Sequence, residues 1–119
     1  MNALLETWAI SHRMNEFLLA GIDENYFTDI PIAKGRSVGA QFAHLHNVRL
    51  MWVKVAAPQL MEGLPRLEKD VLITRQVLLE AFAKSTSAIA ALLQLGLETG
   101  RIKGFKPHPE AFLGYLIAH

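Results

Sequence analysis

The sequence predicts an all-α fold, a bundle of four helices forming a single domain over residues 1–119. Three observations predict it. Four segments repeat apolar residues at the 3.6-residue period of a helix. No segment alternates apolar and polar residues in the manner of a strand over a useful length. The helical segments are separated by stretches punctuated with Gly, Pro, Asn and Asp. A chain of 119 residues has the size of one domain and can bury about two-thirds of its unfolded surface in one core.

Residues 3–20 place Leu4, Leu5, Trp8, His12, Asn15 and Leu19 near one face, with Glu6, Arg13 and Glu16 mostly elsewhere, which is an amphipathic first helix. The stretch GIDENYFTDIPIAKGRS, with Gly21, Asn25, Asp29, Pro31 and Gly35, reads as a long connection. Ser37 is a suitable N-cap for a second helix, VGAQFAHLHNVRLMWVKVAA, which Pro58 closes. That helix is apolar nearly all round, with Asn47 and Lys54 as a narrow polar strip, and belongs in the middle of a bundle. PQLMEGLPRLEK is a connection with apolar anchors. A third helix starts at about Asp70 or Thr74 and runs to Glu98, with Val77, Leu78, Phe82, Ile89, Leu92 and Leu93 on its apolar face. Gly100 is its expected C-cap. Pro109 suits the first position of a fourth helix, and Glu110 behind it suits the positive end of the helix dipole. Phe112, Leu116 and His119 share one stripe of this last helix.

Composition narrows the function classes. The 12 Lys and Arg nearly balance the 11 Asp and Glu, for a net charge of +1, and no basic run gathers into a phosphate-binding face. Nucleic acid is therefore not an expected partner. The polar faces carry mixed charge rather than Lys and Arg, which speaks against a membrane-surface role. The apolar stretch AIAALLQLGL is interrupted by Gln94 and is too short to span a bilayer. The N-terminal stretch carries Glu6 and lacks a basic flank, unlike a secretory signal, so the expected location is the cytoplasm. With no cysteine, disulfides, thiolate zinc sites and cysteine nucleophiles are all excluded, and any metal must be held by His and carboxylates.

The five histidines differ in their surroundings. His12, at the edge of an apolar face, reads as a partly buried, hydrogen-bonded side chain. His108, between two prolines at a helix start, reads as a cap-region residue in a solvated turn. His44 and His46 stand two apart on one helix, roughly 200° around its axis, and cannot grip one ion together. His44 shares a stripe with Ala40, Val48, Met51 and Val55, whereas His46 lies near Phe42, Leu50 and Val53 but close to Arg49 and the polar strip. This favours His44 as the inward residue, with His46 as its alternative. His119 follows Phe112 and Leu116 toward the core. Each inward His is either a metal ligand or a satisfied core histidine, and helical-bundle cores are common places for metal sites.

GRSVGAQFAHLHNVRLMW, followed much later by HPEAFLGYLIAH, resembles the DinB/YfiT-like superfamily of bacterial metal-binding four-helix bundles over nearly the whole chain. In that family a His on the second helix and two His four apart on the last helix bind one divalent ion. The matching positions are His44 and His119. The family motif continues beyond that last position to a second ligand one turn later, so the resemblance implies a fourth helix that is incomplete at His119. The apolar stub of that helix in turn motivates the expectation of a homodimer in which a partner chain supplies the missing helix face. The implied ion is zinc, nickel or iron, all of which accept imidazole. The implied chemistry is that of a metal-dependent enzyme, either a thiol S-transferase acting on a small-molecule thiol or a hydrolase. The alternative is a non-enzymatic dimerisation or partner-binding module whose histidines are structural.

Overall fold

The computed structural model describes residues 2–22, 38–64, 66–67, 74–105 and 108–118. Those residues form four α-helices and no strand, an all-α fold as the periodicity predicts. The helices are α1 (Ala3–Gly21), α2 (Val38–Ala56), α3 (Arg75–Thr99) and α4 (Pro109–Ala118), and a 3-10 turn at Pro58–Met61 follows α2. The expected cap Ser37, the alternative start Asp70 and the candidate ligand His119 lie outside the described residues.

Local chemistry sets the ends of the helices. Asn2 caps α1 by accepting from the backbone amide of Leu4 at 2.8 Å, which satisfies one of the donors a helix start leaves open. Thr74 does the same for α3, accepting from Val77 N at 3.2 Å. Gly100 closes α3 in the left-handed region, at φ +84°, and donates its amide to Gly96 O at 2.7 Å. At the start of α4 the exposed His108 accepts from Ala111 N through Nδ1 at 3.1 Å, the capping role expected of it.

Helix α3 is the hub, packed along both α1 and α2. It buries Leu78, Phe82, Ile89, Leu92 and Leu93, and the small Ala81, Ser85, Ala88 and Gly96 let its neighbours approach closely. By length and composition it is also the one helix among the described residues long and apolar enough to cross a membrane, with half of that window buried inside the protein. That composition is shared by core helices of soluble domains. The core divides into two apolar clusters. One joins Leu4 and Trp8 to Val53, Ile89, Leu92, Leu93, Phe112 and Leu116. The other joins Leu19, Ala43, Leu67, Leu78, Ala81 and Phe82.

Aromatic packing holds α4 in place. Trp52 of α2 meets Phe112 edge-on at 5.3 Å and Phe105 at 5.7 Å between ring centroids. Its indole Nε1 reaches the Tyr115 hydroxyl at 3.4 Å. The connection before α4 passes so close to α2 that a Cβ at Gly104, where φ is +87°, would lie 2.9 Å from Val55 Cγ1. Two polar anchors tie down the other connections. Arg75 donates from Nε to Leu19 O at 2.9 Å and from Nη2 to Ile22 O, joining the end of α1 to the start of α3. Asn47 brackets Leu67, donating to its carbonyl at 2.8 Å and accepting from its amide at 3.0 Å.

Candidate functional site

The inward face of α2 is the one the stripe containing His44 did not select. Gly39, Ala43, His46, Arg49, Leu50 and Val53 are buried. Met51 and Val55, on the His44 stripe, are about half exposed, and His44 itself is half-buried. The preference for His44 as the inward residue is therefore corrected, and the buried histidine is His46. A helix that is apolar nearly all round offers several stripes of similar hydropathy, and contact with α3 chooses among them. The ring of His46 stacks on Phe82, with centroids 6.2 Å apart and planes 21° from parallel.

A polar group that the sequence placed beside the solvated strip lies at the centre of the molecule. Arg49 is 6% exposed. Its guanidinium carbon lies 4.7 Å from the Trp8 ring centroid and 4.6 Å from that of Phe82. The cation is thus held between one ring from each apolar cluster. Nη1 donates to Ser85 Oγ and to Thr86 Oγ1, both at 3.2 Å. No carboxylate pairs with Arg49 among the described residues, and burial lowers its pKa to about 10.

The hydroxyls pass the interaction outward. Thr86 Oγ1 accepts from Arg49 and shares a second hydrogen bond with His12 Nδ1, 2.9 Å away, whose direction is set by the imidazole tautomer. His12 Nε2 faces Glu16 Oε2 at 3.5 Å. Ser85 likewise accepts from Arg49 and donates to Phe82 O at 3.3 Å. Trp8 is fixed in the same assembly by its indole Nε1, which donates to Thr86 O at 3.0 Å. A chain of polar contacts therefore runs from the buried cation through Thr86 and His12 to a surface carboxylate.

Arg49 lines a cavity of about 70 Å³ between α1, α2 and α4. Ser11 and Asn15 contribute its polar wall from α1, while Leu45, Val48, Leu116 and Ile117 contribute its apolar wall. His44 stands one turn before Val48, and Leu116 lies three residues before His119. Among the described residues, no three His, Asp or Glu side chains gather in a way that could hold a metal ion. Those residues alone do not form a metal centre around His44. Of the polar residues near the interior, Asn15 lines the cavity, Glu16 lies against His12, and Asn47 is committed to the Leu67 backbone.

No family model matches this chain, and comparison with curated proteins and with solved structures returns no match. Sequence reasoning missed Arg49, Ser85 and Thr86. One signal was available: Arg49 lies three residues before Trp52, and three and four residues after His46 and Leu45, on a helix with little other charge. A cation in such a place is either solvated at the helix edge or buried with partners, and only the packing distinguishes the two.

Proposed function

We propose that this chain is a DinB-like divalent-metal-binding protein of the four-helix-bundle type, with His44 and His119 as ligands and a cytoplasmic role as a metal-dependent enzyme. The supporting observation is the cavity between α1, α2 and α4. Its walls include Val48, one turn from His44, and Leu116, three residues before His119. A divalent ion with open coordination positions polarises a carbonyl, or lowers the pKa of a bound water or thiol toward neutrality. The thiol route fits an S-transferase with a small-molecule thiol substrate, and the water route fits a hydrolase.

Elemental analysis of protein purified without chelators tests this reading. The expected result is close to one zinc, nickel or iron per chain, lost in both His44→Ala and His119→Ala while the far-UV circular dichroism is unchanged. A parent protein that stays metal-free when offered each ion refutes it.

A second reading, the non-enzymatic dimerising module, is favoured by one feature of α1. Met14, Phe17 and Leu18 are 62%, 80% and 52% exposed and form an apolar strip with Ile10. A strip of this kind is self-complementary about a two-fold axis, so a second copy of the chain is the partner this reading names. Sedimentation equilibrium should then show a dimer that Phe17→Glu converts to a monomer. A monomeric parent protein rejects it.

A further inference from the structure

A buried guanidinium that meets no carboxylate among the described residues is a costly arrangement, and its geometry shows which edge has no acceptor there. Arginine carries five N–H donors. The hydroxyls of Ser85 and Thr86 take up Nη1. The Nε and Nη2 edge, the side of the guanidinium that forms two parallel bonds to a carboxylate, meets no acceptor among the described residues. The guanidinium carbon sits over the Trp8 and Phe82 rings, at 4.7 and 4.6 Å from their centroids, so the group leaves the interior only by giving up both contacts. What remains beside it is the cavity of about 70 Å³ that Arg49 lines.

We propose that this cavity is a recognition site for a small organic acid, in which Arg49 takes the carboxylate and the apolar wall takes the hydrocarbon part. Three features select that ligand class. A single planar fork matches a planar carboxylate, whereas a phosphate group normally draws on more donors than one arginine and two neutral side chains. Ser11 and Asn15 each have a donor for the outer lone pairs of the carboxylate. Leu45, Val48 and Leu116 give the rest of the site the character of a hydrocarbon slot, of a size for a few carbon atoms rather than a large cofactor. The hydrogen bonds to Ser85 and Thr86 hold the guanidinium in place, and among the described residues no acceptor opposes its Nε and Nη2 edge. The site stands on these contacts alone and does not require a bound metal.

The test uses the chelator-treated chain carrying Trp52→Phe, so that Trp8, stacked on Arg49, is the remaining indole and reports the site by its fluorescence. Butyrate, its neutral analogue butyramide, and inorganic phosphate are titrated in turn. Butyrate should give a saturable change in Trp8 emission and bind at least about tenfold more tightly than butyramide, the range expected when a charge-assisted pair is lost. Arg49→Met should abolish the preference for the anion. Val48→Phe, which fills the cavity and leaves Arg49 in place, should abolish binding altogether, and it decides the matter if Arg49→Met does not fold. Equal binding of butyrate and butyramide overturns the proposal, as does butyrate binding that survives Val48→Phe. Phosphate binding more tightly than butyrate overturns the assignment to carboxylates. Butyrate binding that appears only when zinc, nickel or iron is restored, and is indifferent to Arg49→Met, shows the metal rather than Arg49 to be the receptor.

Discussion

Replacing Arg49 with Met tests whether this buried cation serves the fold. Burial lowers the Arg49 pKa to about 10, which at about 1.36 kcal/mol for each pH unit places on the order of 3 kcal/mol against the charged form in the folded protein. Against that stand two stacked rings, at about 0.5–2 kcal/mol each, and two hydrogen bonds to hydroxyls. The terms nearly cancel. Met has a similar length, brings no charge, and leaves neither hydroxyl stranded, because Ser85 still donates to Phe82 O and Thr86 can still donate to His12. Replacing a buried charge with an apolar side chain of similar volume is often neutral or stabilising. The expected change in unfolding free energy is therefore within about 1 kcal/mol of zero, read as a urea midpoint by circular dichroism with the slope unchanged.

The pH of that assay matters. The folded pKa lies below the unfolded one, so from about pH 10 up to the unfolded pKa the unfolded state binds more protons, and stability gains as pH rises through that window. Below about pH 10 the burial cost is fully present. A measurement at pH 7 thus compares the full cost with its absence. Phe82→Ala is the control, since deleting a fully buried ring at the same place should cost about 3–5 kcal/mol. An Arg49→Met loss as large as that of Phe82→Ala would refute the reasoning and make the cation a keystone of the fold.

Two further predictions concern the frame around the site. Asn47→Ala removes both bonds to the Leu67 backbone and should cost about 2 kcal/mol, with faster hydrogen exchange at the Leu67 amide; an unchanged midpoint would contradict the anchoring role. Gly96→Ala should gain about 1 kcal/mol of helix propensity yet lose more, because the added Cβ would run into Ile102 Cδ1. Adding Ile102→Val, which deletes that methyl, should recover most of the loss, and simple additivity of the two substitutions in denaturant melts would show that the contact is not the cause.

Most of the secondary structure was legible in the residues. Pro109, Thr74 and Gly100 marked helix ends by chemistry that acts within one or two turns, and each stands at the end of its element. The amphipathic faces of the first and third helices were equally legible: Leu4, Trp8 and Leu19 are buried on one, and Leu78, Phe82, Ile89, Leu92 and Leu93 on the other. The second helix was not. With apolar residues on most of its circumference, the stripes through His44 and through His46 look alike, and Arg49 and Asn47 both read as surface.

The helical class and the helix ends that capping residues set follow from the period of the side chains and from backbone chemistry close along the chain, so both could be read from the residues alone. Tertiary packing decided which face of α2 turns inward. Burying His46 and Arg49 is worthwhile only because Phe82, Ser85 and Thr86 of α3 and Trp8 of α1 arrive together around them. A burial that depends on partners 36 to 78 residues apart in the chain leaves no local pattern to read.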